Sequence, residues 1–263
     1  MTNKDRKAKY NEIHSSIREV ISYEGDEILS KSNLAAFTSI KYQRQDNDNG
    51  GNDDNNVLQV KCFKTPLPSN LHEQCMNLFQ MNMKTMYEKS SWGLDLDEKS
   101  SQLSHDNARF LIVTRKRCND NEDNDDDIND EVVAFTHFRF ECSVEECNDH
   151  NCTYCKQTSW TLRNDKDAKN HQPILYLYEI QIDPRLQRQN IGKKLMTMTQ
   201  IIAMKMKMTK VILTVFKFND QAMDFYKKKL GYKTDESSPD CFIDDGDDEE
   251  VDYVILSKVV QVG

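Results

Sequence analysis

The sequence predicts one mixed α/β domain, and three observations carry that prediction. Segments with apolar residues at helical spacing alternate along the chain with short apolar, β-branched and aromatic runs, the pattern of interleaved helices and strands. One such run leads through a polar loop to a glycine where a helix begins: LYLYEIQIDPRLQRQNIGKKL, residues 175–195. Three tracts, 43–57, 118–131 and 142–172, interrupt the pattern as insertions into a compact order of elements.

Taken in order, residues 4–22 read as a helix with Ile13, Ile17, Val20 and Ile21 on one stripe. A strand at 57–63 follows, then a helix from about 69 to 89 carrying Leu71, Cys75, Leu78, Phe79, Met83 and Met86. RFLIVTR (109–115) and EVVAFTHFRFE (131–141) read as strands, the second alternating between a Val133, Phe135, His137, Arg139 face and an Ala134, Thr136, Phe138, Phe140 face. The strand 174–182 precedes a helix at 191–207 with Ile191, Leu195, Met198, Ile202 and Met206 inward. VILTVFKF (211–218) reads as a buried strand, Asn219 as the N-cap of a helix over 220–229, Gly231 as its end, and 251–259 as a last strand.

Composition limits the function classes. A hydrophobic content of 37% supports a core, while a mean hydropathy of −0.78 keeps much of the chain in water. No stretch approaches the ~18 apolar residues of a membrane span. The opening MTNKDRKAKY has no apolar run and no glycine at position 2, so neither a secretory signal nor myristoylation is expected, and the eight cysteines should be mostly reduced. The formal charge of −9 is unevenly spread: 22 of the 44 acids lie in 43–57, 118–131 and 235–252, beside one base, Arg44. The remaining 22 acids face 34 bases, a body of about +12 by formal counting, which suits a phosphorylated ligand as well as solvated helix faces.

The loop Gln187-Arg188-Gln189-Asn190-Ile191-Gly192 stands at a helix start, where unpaired amides and the positive end of the helix dipole attract anions. Its glycine permits close backbone approach. EIQI (179–182), QRQNIG (187–192), VILTVF (211–216), Asn219 and FYKKKLGY (225–232) together resemble the acetyl-CoA signature of the GCN5-related N-acetyltransferases (GNAT). Asn190 stands where that family usually has its first glycine. Asparagine tolerates left-handed backbone, so the loop can still close. MYEKSSWG (86–93), AFTHFRFE (134–141), LYLYEIQI (175–182), KVILTVFKFND (210–220), DESSP (235–239) and YVILS (253–257) resemble more closely the NatD-type N-α-acetyltransferases, which acetylate the N-terminal amine of histones H-four and H-two-A.

That resemblance implies a GNAT fold, a single mixed, mostly antiparallel sheet flanked by helices. An N-terminal helical segment (1–40) would pack on the acetyltransferase domain (41–263). It implies acetyl-CoA as co-substrate, and histone tails beginning Ser-Gly-Arg-Gly as acceptor. A monomer without auxiliary subunit is expected, in nucleus and cytoplasm, with no direct nucleic-acid or membrane contact. Glu179 is implied as the base, acting through water, with Tyr178 and Tyr226 as further catalytic residues. Tyr226 would protonate the leaving thiolate or pack against the pantetheine arm. Cofactor contacts are implied for Ile180, Gln181, Ile182, Gln187, Arg188, Gln189, Asn190, Ile191, Gly192, Asn219 and Tyr226, a backbone amide of 180–182 holding the oxyanion. The peptide would meet Tyr87, Trp92, Tyr176, Tyr178 and Tyr253, with Glu141 accepting the arginine at the third position. A second acidic family position is Ser143 here, and Glu145 or Glu146 of the insertion could take its part.

From the residues alone, alternation places Tyr176 and Tyr178 on one face of their strand and Glu179 on the other. Cys142, Cys147, Cys152, Cys155 and His150 read as loop thiols and a loop histidine, with structural zinc as the alternative; no metal site is assigned. Two other functions stay open: an acetyltransferase of lysine or small amines, and a non-catalytic acyl-CoA- or histone-binding protein.

Overall fold

The computed structural model describes residues 3–43, 56–116, 130–143, 172–242 and 251–260. In chain order these form α1 (Asn3–Ser22), α2 (Gly25–Lys31), β1 (Ser39–Lys41), β2 (Val57–Lys64), α3 (Ser69–Lys89), α4 (Leu96–Leu103), β3 (Arg109–Arg115), β4 (Glu131–Cys142) and β5 (Pro173–Ile182). After β5 come α5 (Ile191–Lys205), β6 (Lys210–Phe216), the short α6 (Asp220–Met223), β7 (Lys233–Thr234) and β8 (Tyr253–Val259). The predicted class holds: the eight strands form a sheet accompanied by helices, and β1–β2, β2–β3, β3–β4, β6–β8 and β7–β8 pair antiparallel. Contacts divide the chain into two compact units, through both of which β4, β5 and α5 run.

The first unit comprises Glu24–Phe138 and Leu177–Ile202. Its strands follow the order β1-β2-β3-β4-β5. Leu71, Cys75, Leu78 and Phe79 form the apolar stripe of α3 and pack with Leu103, Phe110, Ile112, Val132 and Phe135 in one buried cluster. The expected alternation of β4 is not reflected in its burial, since every residue from Val132 to Glu141 is buried, as befits a strand inside a sheet covered on both faces. Gly25 opens α2 against β2 so closely that a Cβ there would lie 1.9 Å from the Cys62 carbonyl oxygen.

The second unit comprises Met1–Tyr23, Arg139–Tyr176 and Ala203–Gly263, with strand order β4-β5-β6-β8-β7. α1 buries Ile13, Ile17 and Val20, as its spacing predicts. β6 follows its neighbour β5 through α5, the kind of crossover that a parallel pair requires. Asn219 caps α6, its side-chain oxygen accepting from the Ala222 amide at 3.1 Å. The helix expected over 220–229 widens after one turn into a π-turn, Asp224–Lys229, and Gly231 leaves it at φ 73°. Lys210 and Asp235 form a buried ion pair at 2.7 Å that ties β6 to the turn after β7.

Around the insertions the ends of the chain are pinned together. Tyr42 N donates to Asn56 O, Arg115 pairs with Glu131 across β3–β4, and Ser143 N donates to Gln172 O at 2.9 Å. The intervening residues 44–55, 117–129 and 144–171 lie outside the described residues. With them lie Glu145 and Glu146, and Cys147, His150, Cys152 and Cys155 of the zinc alternative.

Candidate active site

In the first unit the site grows from the C-terminal half of β5. Alternation along the strand gives buried Leu177, Glu179 and Gln181 on one face, and half-buried Tyr178, Ile180 and Ile182 on the other. Glu179 is 6% exposed. Its Oε1 accepts from Lys99 Nζ at 2.7 Å and its Oε2 from Gln181 Nε2 at 2.7 Å. Asn82 Nδ2 in turn donates to Gln181 Oε1 at 3.0 Å and to the Ile182 carbonyl at 3.1 Å. Both carboxylate oxygens are therefore held from known directions, and a chain of amides from α3 fixes the holder.

Lys99 comes from α4. Its ammonium also donates to Gln102 Oε1 at 2.7 Å and lies 4.8 Å from the Phe79 ring centroid and 5.4 Å from that of Tyr87. Burial pulls the Lys99 ammonium down, but the charge and hydrogen bond of Glu179 outweigh it and leave its pKa raised. Burial, then the Glu179 charge, pushes the Tyr87 phenol up to about 12. Tyr87 stands edge-on to Phe79 at 5.4 Å and to the partly exposed Trp92 at 6.2 Å. Tyr87 thus lies beside the Lys99–Glu179 pair and Trp92 beside Tyr87, the two residues of this unit expected to meet the peptide. On the opposite face of β5, Tyr178 stacks on His137 at 4.9 Å, and His137 on Phe110 at 5.0 Å.

The same strand feeds the loop. Asp183 N donates to Val133 O, and the Asp183 carboxylate accepts from Arg185, whose hydrogen bond holds that carboxyl below its usual range. Gln187 Nε2 donates to Ile182 O at 3.2 Å, and Gln189 Oε1 accepts from Gln43 N at 2.8 Å. Arg188 and Asn190 are both left-handed, at φ 64° and 62°, while Ile191 and Gly192 are buried where α5 begins. Alternate left-handed residues before a helix turn backbone amides towards one side, the concavity in which a pyrophosphate is cradled. The exposed Arg188 and Lys193 add positive charge there. The loop therefore fits the phosphates of a CoA thioester.

The remaining sequence-predicted residues lie in the second unit. Tyr176 and Tyr253 pack on the cluster of Ile174, Ile212 and Ile255, the Tyr176 hydroxyl sharing a hydrogen bond with Thr214 Oγ1 at 2.5 Å. Burial, then the neighbouring Asp252 charge, raises the Tyr253 phenol. Tyr226 sits in the π-turn, buried against Tyr232 at 5.8 Å and beside Phe225. Glu141 is a buried carboxylate near the end of β4.

Residues 126–232 match the family model described as Acetyltransferase (GNAT) family. Over those residues the chain carries a GNAT acetyltransferase domain. Acetyl-CoA is its co-substrate. In solved structures the acetyltransferase is similar to Arabidopsis thaliana NAA60 in complex with a bisubstrate analogue, at 10% identity over 78% of this chain and 99% of that one, with a TM-score of 0.47. It is also similar to the GNAT domain of S. lividans PAT (10% identity, 78% and 92% covered, TM-score 0.46) and to a chain of the NatC complex bound to Gag peptide and CoA (8%, 77% and 99%, 0.44).

Sequence reasoning missed Lys99 altogether. The signal for its helix was present: Asp95 followed three residues later by Glu98 is a capping pattern, and the Asp95 side chain accepts from Glu98 N at 2.9 Å. The eight residues of α4 are too few to show apolar periodicity, so that cap was the only local sign.

Proposed function

We propose that the acetyltransferase is an N-α-acetyltransferase of the histone type, taking tails that begin Ser-Gly-Arg-Gly and working as a monomer in nucleus and cytoplasm. The observation that carries this reading is Glu179: a buried carboxylate tethered at both oxygens, one strand-end away from the anion loop and in one corner with Tyr87 and Trp92. The resemblance of MYEKSSWG, LYLYEIQI and YVILS to NatD-type enzymes supports the choice of acceptor.

Acetyl-CoA supplies the thioester. The chain's own part is to orient the amine, exclude water and receive a proton. An α-amino group has a pKa of ~7.7–8.0, so a useful fraction is neutral at working pH and a modest base suffices. Glu179, through a water at its remaining lone pairs, takes that proton as the amine adds to the thioester carbonyl. The developing oxyanion is received by a backbone amide of 180–182, while the resemblance gives Tyr226 the part of returning a proton to the departing thiolate or packing against the pantetheine arm. The resemblance gives Glu141 the arginine at the third position, both of whose arms a carboxylate can accept.

The test is acetyl transfer to a Ser-Gly-Arg-Gly peptide beside the same peptide with a blocked N-terminus. Turnover of the free peptide alone, falling about 10²- to 10⁴-fold in Glu179→Gln while acetyl-CoA still binds, is the expected result. Equal transfer to the blocked peptide would assign the enzyme to lysine instead. Binding of acetyl-CoA without any transfer would reduce it to a carrier or reader.

A further inference from the structure

We propose that Lys99 is a positioning residue for acetyl transfer, its buried ammonium pairing with the Glu179 carboxylate and fixing its direction. The proposal rests on Glu179 being the base. The lysine side chain is 7% exposed and the glutamate 6%, and their contact is 2.7 Å. Lysine is almost never buried without a partner. Here the ammonium lies over the rings of Phe79 and Tyr87, so the cation has little access to water.

Such a pair is a poor device for stability alone, because the desolvation of two ions offsets most of their attraction and an apolar pair of like volume often does as well. Its geometry suits another purpose. Lys99 occupies Oε1 and Gln181 occupies Oε2, each from a different element, so the carboxylate plane is fixed while a lone pair on each oxygen stays open to a proton-bearing water. The other titratable groups brought to the pair are Tyr87 from α3 and Glu98 from α4; His137 of β4 lies against Tyr178, on the other face of β5. Among these described groups Lys99 is the cation facing the carboxylate. Without it, Glu179 would be a lone charge in an apolar corner, held in place by Gln181 alone.

The full chain is compared as wild type, Lys99→Met, Lys99→Arg, Glu179→Gln and the Lys99→Met/Glu179→Gln double variant, with acetyl-CoA and the Ser-Gly-Arg-Gly peptide. The expected kcat of Lys99→Met is lower by about tenfold or more, with the KM for acetyl-CoA within about twofold of wild type. Lys99→Arg recovers part of that loss, and the double variant is no slower than Glu179→Gln, because the lysine acts through the glutamate. Wild-type kcat in Lys99→Met beside a dead Glu179→Gln would overturn the proposal and leave the base reading intact. Full activity in Glu179→Gln would remove the base reading itself. If Lys99→Met fails to fold, Lys99→Arg and the double variant still decide it. An arginine variant as slow as Glu179→Gln, or a double variant slower than it, counts against the proposal.

Discussion

Asn190 marks the point in the loop where side-chain chemistry and backbone geometry meet. Its φ of 62° costs an ordinary L-residue roughly 1–2 kcal/mol, and asparagine less, because its short polar side chain can hydrogen-bond locally. Asn190→Gly should keep the KM for acetyl-CoA within about twofold. Asn190→Val should raise that KM and lower stability by about 1–2 kcal/mol, measured by initial rates and urea unfolding. This left-handed turn was legible, since asparagine in a glycine's place suggests it. The same conformation at Arg188 was not, because nothing in arginine's chemistry announces it. Asp235 gives the molecule an acid-side dependence. Burial would lift its carboxyl, but Lys210 and the hydroxyls of Ser237 and Ser257 outweigh that and hold it low. A carboxyl lowered on folding adds stability above its unfolded pKa of ~3.9 and loses it as pH falls through the folded value. Thermal melts should therefore fall steeply as pH drops below about 4, and Asp235→Asn should flatten that slope while lowering the plateau.

At the scale of elements, what the sequence revealed depended on length. The stripes of α1, α3 and α5 extend over several turns, and β3 and β5 are short apolar runs bounded by polar residues, so each could be placed within a residue or two. α2, α4, β1 and β7 are too short for a period and were missed. The π-turn at Asp224–Lys229 was missed for another reason: helix widening leaves the apolar spacing nearly unchanged, so Tyr226 looked like a residue in a regular helix. Gly25 shows what a short element can demand. With a would-be Cβ only 1.9 Å from backbone of β2, Gly25→Ala has to push α2 off the strand. A loss of about 3 kcal/mol or more in urea-induced unfolding is expected, well beyond the ~1 kcal/mol scale of helix propensity, which would favour alanine.

Across the whole molecule, the fold class could be read because local pattern and element order agreed, as foldable sequences require. The division into two compact units could not, since it follows contacts between residues far apart in the chain. Nor could the partner of Glu179: the lysine lies 80 positions away in an element without periodicity. The three tracts stood out from composition alone. What composition could not show is that each leaves and re-enters at neighbouring backbone positions, Tyr42 beside Asn56, Arg115 opposite Glu131 and Ser143 beside Gln172. Loop closure costs only about 0.6 kcal/mol for each doubling of length. Replacing residues 44–55 or 117–129 by a turn of a few residues should thus leave the melting temperature within a few degrees and acetyl-CoA turnover unchanged, as calorimetry and steady-state rates would report.

Those three crossings are also addresses. A backbone that departs and returns within a hydrogen bond's reach imposes a boundary condition on whatever is spliced there: its own ends must lie close together. Many small domains meet that condition. A fluorescent protein or an affinity epitope could be carried at any of the three crossings, and the acetyltransferase followed in a living cell with both of its termini left as they are.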